Sequence, residues 1–168
     1  MRSRLIFSAF LLVVLLVVAC GGGGPAPRVG RAAPAFSLPS LADGSPVTLD
    51  QFRGKVLLLN FFATWCPTCR AEAPILQAAW EELQDENVAF LIVAIGEEGP
   101  DEVTRFMKER APTLPVAMNQ SGEMLRLYNV NAIPTTFILD REGMVRNITV
   151  GAFASKDDVV ERVRDVAR

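Results

Sequence analysis

Lys55 to Phe62 reads as a strand, and its Val-Leu-Leu-Leu-Asn-Phe-Phe is apolar at almost every position, the pattern of a central strand covered on both faces. Beyond Pro67 the period changes. Leu76, Ala79, Trp80 and Leu83 recur at i, i+3, i+4 and i+7, which predicts a helix with one buried stripe. Val88 to Ile95 reads as a second central strand, and Pro100 to Arg110 as a helix with Val103, Phe106 and Met107 on its inner face. A short strand is expected over 114–118 and a short helix over 123–128. Thr135–Leu139 and Met144–Val150 flank Asp140-Arg141-Glu142-Gly143, whose turn chemistry predicts a hairpin. Ser155 with Asp158 opens a last helix as a capping pair, with Val159, Val163 and Val166 inside. At the front, Phe36–Leu38 and Pro46–Leu49 flank a turn at 42–45, a short hairpin or paired edge strand. Alternating strands and helices followed by an antiparallel hairpin predict an α/β fold whose mixed central sheet carries helices on both faces.

The first twenty residues obey a different pattern. Met1-Arg2-Ser3-Arg4 precedes an apolar run from Leu5 to Ala19, then Cys20 and four glycines. The run is shorter than the roughly 20 residues a spanning helix needs, so a signal segment is expected rather than a permanent span. Val17-Val18-Ala19-Cys20 resembles the bacterial lipobox, which implies cleavage before Cys20 and lipidation of that residue. An ordinary cleavage site beside a stray Cys is the alternative, and both readings export the domain. Residues 20–35 are rich in Gly, Pro and Ala with almost no bulky apolar side chain, as suits a flexible tether. The expected organisation is therefore signal 1–19, lipidated Cys and tether 20–35, and one α/β domain over 36–168.

Composition removes whole classes of chemistry. The 168 residues include 17 Lys+Arg, 19 Asp+Glu, three Cys and no His. Without His there is no Ser-His-Asp or Cys-His catalysis and no imidazole metal centre. Near-balanced charge without a basic block excludes an electrostatic footprint for nucleic acid. Loss of Arg2 and Arg4 with the signal moves the formal charge from -2 to -4, so charge would not draw the domain to anionic lipid.

Chemistry concentrates at Cys66-Pro67-Thr68-Cys69, directly after the central strand and at the start of the first long helix. At Cys66 the free N–H groups and positive dipole end of the helix favour a thiolate. Cys69 lies one turn on, and helical neighbours at that spacing are about 5 to 6 Å apart, within disulfide reach. Pro67 suits the first helical turn, where no N–H is needed. Half of a zinc site fails on ligand number, since only one other Cys exists. A purely structural disulfide would remove little loop entropy across so short a gap. A pair of inert buried thiols fits poorly with the carboxyl end of a central strand, where α/β sheets expose functional groups.

The segment Asn60-Phe61-Phe62-Ala63-Thr64-Trp65-Cys66-Pro67-Thr68-Cys69 resembles the active-site segment of the thioredoxin superfamily. Ala132-Ile133-Pro134-Thr135-Thr136-Phe137 resembles that superfamily's cis-proline loop. The finer likeness is to the membrane-tethered, extracytoplasmic TlpA/ResA-type thiol-disulfide oxidoreductases. It rests on Pro34-Ala35-Phe36-Ser37-Leu38, on Leu49-Asp50-Gln51-Phe52-Arg53-Gly54-Lys55, on Glu72 three residues after Cys69, and on the extra segment around 97–118. The resemblance implies a thioredoxin-like fold with an N-terminal β extension and an inserted helix and strand. It also implies that Pro134 is cis, which leaves the Ile133 carbonyl open to an extended substrate segment. Ordinary thioredoxins carry a buried Asp at Asn60, and in the TlpA/ResA group the position of Glu72 is thought to take its part. Glu72 as a solvated helix residue is the alternative. Asn60 reads as a hydrogen-bonded structural residue, and Trp65 as packing and shielding around the disulfide or as core.

The implied activity is reduction of disulfides in exported proteins. Cys66 would act as nucleophile, Cys69 as resolving thiol and Glu72 as proton acceptor, with Trp65, Pro67, Ile133 and Pro134 at the substrate. No metal or cofactor is expected beyond the dithiol. Expected partners are a disulfide-bearing exported protein, with apocytochrome c one candidate, and an integral-membrane thiol electron donor, at the envelope of a bacterium. Two rivals remain. A peroxiredoxin-like peroxidase places Pro and Thr ahead of its Cys as P-x-x-x-T-x-x-C, whereas here Thr64 stands two residues before Cys66. A tethered copper-delivery protein on the same fold would want His, which is absent.

Overall fold

The computed structural model describes residues 26–96 and 99–168. Its elements in chain order are β1 (Ser37–Pro39), β2 (Pro46–Thr48), β3 (Val56–Phe62), α1 (Pro67–Leu83), β4 (Val88–Ile95), α2 (Pro100–Arg110), β5 (Val116–Asn119), α3 (Glu123–Leu127), β6 (Thr135–Leu139), β7 (Val145–Val150) and α4 (Lys156–Ala167). These follow the elements expected from the hydrophobic pattern, because period-2 and period-3.6 signals are local and strong here. Among the described residues no helix is long and apolar enough to cross a membrane. The predicted signal and Cys20 lie outside the described residues.

Five strands form the central sheet in the order β5-β4-β3-β6-β7. β3, β4 and β5 are parallel, joined by the crossover helices α1 and α2, whereas β6, reached through α3, and β7 run antiparallel. All seven positions of β3 are buried. Alternate residues of β3 face opposite layers. Asn60 reaches α1 and Phe62 packs on Phe106 of α2 at 5.2 Å, while Phe61 meets Tyr128, just beyond α3, at 5.6 Å. α4 packs beside α1. Leu76, Ala79 and Leu83 are buried as expected, but Trp80 is half-buried and stacks on Phe90 at 5.5 Å.

The N-terminal stretch belongs to the body earlier than the boundary at Phe36 drawn from composition. The Gly30 amide donates to Val145 O at 2.8 Å, and Ala33 N donates to Gly143 O at 2.9 Å. Ala32 bridges to Met144, and Ser40 bridges to Ala117 at the opposite edge. Residues 30–40 thus cover part of both sheet edges, supplying partners for otherwise open backbone groups. The Ser155 cap is one-sided: its hydroxyl accepts from Asp158 N at 3.2 Å, while the Asp158 carboxylate pairs with Arg162 at 2.7 Å.

Candidate active site

β3 ends at Phe62, and the chain turns through Ala63–Trp65 before Pro67 opens α1 with its fixed φ and no N–H to satisfy. Cys66 is the N-cap residue of α1. Its sulfur takes the place of a capping oxygen, accepting from Cys69 N at 3.2 Å and lying 3.2 Å from the Thr68 hydroxyl. Cys66 and Cys69 are joined as a disulfide with Cα atoms 5.3 Å apart. Both donors aim at the sulfur where a thiolate would form on reduction, and the dipole of a 17-residue helix adds to them.

The loop before β6 faces this sulfur. The Ile133–Pro134 bond is cis, and the Ile133 carbonyl oxygen lies 3.9 Å from Cys66 Sγ. Pro134 is buried and Ile133 half-buried, and Pro134 O accepts from Gly151 N at 2.8 Å. The end of β7 is therefore tied to the same loop. Two apolar residues near this end of the sheet are exposed, Trp65 next to Cys66 at 61% and Val150, the ladder partner of Thr135, at 68%. Trp65 is not core. Its indole N–H donates to Gly96 O at 3.1 Å and its ring lies against Gly96. Gly96 has φ +61°, a conformation that glycine adopts without steric cost.

Glu72 is 1% exposed, so the solvated-helix alternative fails. It sits on α1 three residues beyond Cys69, and its two oxygens have different donors. Phe153 N donates to Oε1 at 2.8 Å, and Asn60 Nδ2 donates to Oε2 at 3.1 Å. Burial pushes the Glu72 carboxyl above its ordinary value, and the Phe153 and Asn60 donors oppose that push. The second hydrogen of the Asn60 amide goes to Thr136 Oγ1 at 2.8 Å. Cross-strand register makes this possible, since Asn60 and Thr136 are partners in the β3–β6 ladder.

The structure thus gathers Cys66, Cys69, Ile133 and Pro134 at one end of the sheet, with Trp65 and the exposed Pro67 at the rim and Glu72 beneath. Sequence reading missed Thr136, Phe153 and Thr68. Phe153 acts through its backbone and leaves no side-chain signal, Thr136 needs the strand register to be known, and Thr68 could have been found from its place inside the Cys pair. Among the described residues no group of three or more His, Cys, Asp or Glu is placed to hold a metal ion.

The Redoxin family profile matches residues 28–163. The chain is 38% identical over 129 residues to the thiol-disulfide oxidoreductase ResA of Oceanobacillus iheyensis, a match spanning 74% of this chain and 66% of that protein. With ResA of Geobacillus thermodenitrificans it shares 33% identity over 138 residues, spanning 82% of this chain and 78% of the relative. A thiol:disulfide interchange protein of the thioredoxin family from Chlorobium tepidum TLS has a similar solved structure, with TM-score 0.74 and 31% identity. That likeness covers 86% of this chain and 100% of the other.

Proposed function

The chain belongs to the Redoxin family and is a thiol-disulfide oxidoreductase of thioredoxin-like fold, acting on a disulfide-bearing substrate and needing a reductant; from that premise we propose that it is a reductase of exported proteins, tethered through Cys20 outside the cytoplasm. The observation that carries the reading is the Cys66 sulfur seated as the cap of α1, within 3.9 Å of the Ile133 carbonyl.

In the reduced protein the Cys66 thiolate attacks one sulfur of the substrate disulfide. A Cys66–substrate bond forms, the substrate bond breaks, and the other substrate sulfur leaves as a thiolate. Cys69 then gives its proton to Glu72 and attacks Cys66 Sγ, which releases the second substrate thiol and leaves the Cys66–Cys69 disulfide. Two electrons pass to the substrate, and the Glu72 proton is available to the departing thiolate. The substrate segment runs extended beside Ile133 and Pro134, in the manner of an added strand, with Trp65 and Val150 as apolar walls. The electrons reside in the two sulfurs, so no separate cofactor enters. An integral-membrane dithiol carrier restores the dithiol, and apocytochrome c is one candidate substrate. The run Val17-Val18-Ala19-Cys20 supports the lipid tether and an envelope location in a bacterium.

Cys66→Ser abolishes reductase turnover, and Cys69→Ser accumulates mixed disulfides with exported proteins, identified by non-reducing gels and mass spectrometry. If Cys69 is alkylated before Cys66 in the reduced protein, the assignment of nucleophile is wrong. An intact N-terminus at a residue other than Cys20, found by mass spectrometry, would end the tether reading.

A further inference from the structure

Glu72 reaches its place through a side chain that can rotate, inside an apolar layer with little to fix it. Its geometry is nevertheless determined at both oxygens. Phe153 N holds Oε1 from the β7–α4 connection, and Asn60 Nδ2 holds Oε2 from the neighbouring strand. The Asn60 amide could equally turn its carbonyl toward Glu72, which would place two acceptors face to face. The ionised Glu72 carboxylate, which can only accept, selects the N–H side, and Thr136 Oγ1 accepts the other amide hydrogen at 2.8 Å, so both N–H bonds of Asn60 are directed. Asn60 and Thr136 are both buried, at 1% and 0% exposure, where such bonds are strong and water cannot replace them.

We propose that Asn60, locked by Thr136, is a positioning residue for the reductase: it holds the Glu72 carboxylate ionised and oriented to receive the Cys69 proton. The inference rests on the role of Glu72 proposed above. Asn60 does not meet the reacting sulfur and acts only through Glu72. The groups bonded to Glu72 are Asn60 from β3, with Thr136 of β6 behind it, and Phe153 N from the connection to α4, while Cys69 lies three residues away on its own helix; no charged side chain perturbs it among the described residues. The ionised state therefore depends on two neutral donors working against burial. Losing one of them makes the carboxyl harder to ionise.

The experiment is the single-turnover reduction of a small aromatic disulfide by the reduced full chain, from pH 5 to pH 9. The unaltered chain is compared with Asn60→Leu and Thr136→Val, each alone and combined with Glu72→Gln. Leu keeps the branched outline of Asn, and Val that of Thr, without the hydrogen-bonding atoms. Release of the first aromatic thiol reports Cys66, and release of the second reports Cys69; the second rate rises with pH as Glu72 loses its proton, so weakening the ionised form moves that rise to higher pH. Asn60→Leu is expected to shift it upward by about one pH unit, the worth of one hydrogen bond to a charged group. Thr136→Val, which leaves the amide in place but unlocked, shifts it less and in the same direction. In the Glu72→Gln background neither substitution moves the profile. If both still shift it by the same amount there, Asn60 does not act through Glu72 and the inference is overturned while the role of Glu72 stands. Should Glu72→Gln alone leave the profile unchanged, the role of Glu72 itself has failed. Thr136→Val keeps the test decisive if Asn60→Leu does not fold.

Discussion

At Glu72 a carboxyl that is 1% exposed has its protonation raised by burial, and this links the residue to stability as well as to proton transfer. In the unfolded chain the group titrates near its ordinary value of 4.5, while in the fold it titrates higher. Between those two points the folded state binds more protons, so stability falls as pH rises through the window. At neutral pH the charge is a net cost to the fold. Glu72→Gln should therefore flatten the dependence of the unfolding free energy on pH from 4.5 upward, measured by urea titration at several pH values. An unchanged slope would mean that Glu72 is solvated in solution. Asn60 illustrates how a residue can be correctly assigned from sequence and still be incompletely understood. Its polarity within an apolar strand marks it as hydrogen-bonded, but its acceptors, Glu72 and Thr136, lie 12 and 76 residues away along the chain.

At the scale of elements, the strands and helices that the pattern predicts are those whose cores are made by side chains. β3, β4, α1 and the β6–β7 hairpin each carry a repeating apolar signature, and each forms. Residues 30–33 carry none, since backbone amides at Gly30 and Ala33 make the attachment to β7, so composition reads them as tether. For the same reason the Phe153 donor to Glu72 was invisible. α1 also continues through Pro74, which lacks the N–H that would bond to the Arg70 carbonyl, and the stripe from Leu76 to Leu83 begins only beyond it. The stretch between β7 and β1 is pinned by Tyr128, whose hydroxyl donates to Pro34 O at 2.7 Å and whose ring meets Phe36, Phe61 and Phe137. Tyr128→Phe keeps the rings and removes the bond. It should lower stability by about 1 kcal/mol in denaturant titration and speed proteolytic cleavage within 26–36. Unchanged cleavage would show that ring packing alone holds this stretch.

For the whole molecule, the redox-active bond contributes little to holding the fold. The two cysteines are three residues apart, so cross-linking them constrains the unfolded chain by only about 2 kcal/mol. The core instead lies on both faces of β3, which is buried at every position. Reduction should lower the melting temperature by only several degrees, read by calorimetry with and without dithiothreitol, and leave one cooperative transition. Loss of cooperativity on reduction would contradict this. The two ends of the sheet also have separate duties. Gly30–Ala33 join the body beside Gly143–Val145, at the end where β3 begins, while Cys66 follows the end where β3 finishes. The described chain is thus joined at its heel, beside Gly143–Val145, and carries the disulfide at the toe, about 20 Å farther along for a strand of this length. Under the tether proposed through Cys20, pivoting about the heel would sweep the toe through a wide arc. With that tether a freely diffusing substrate would meet the disulfide first, and a donor embedded in the anchoring surface would be met only when the body tips over onto its side.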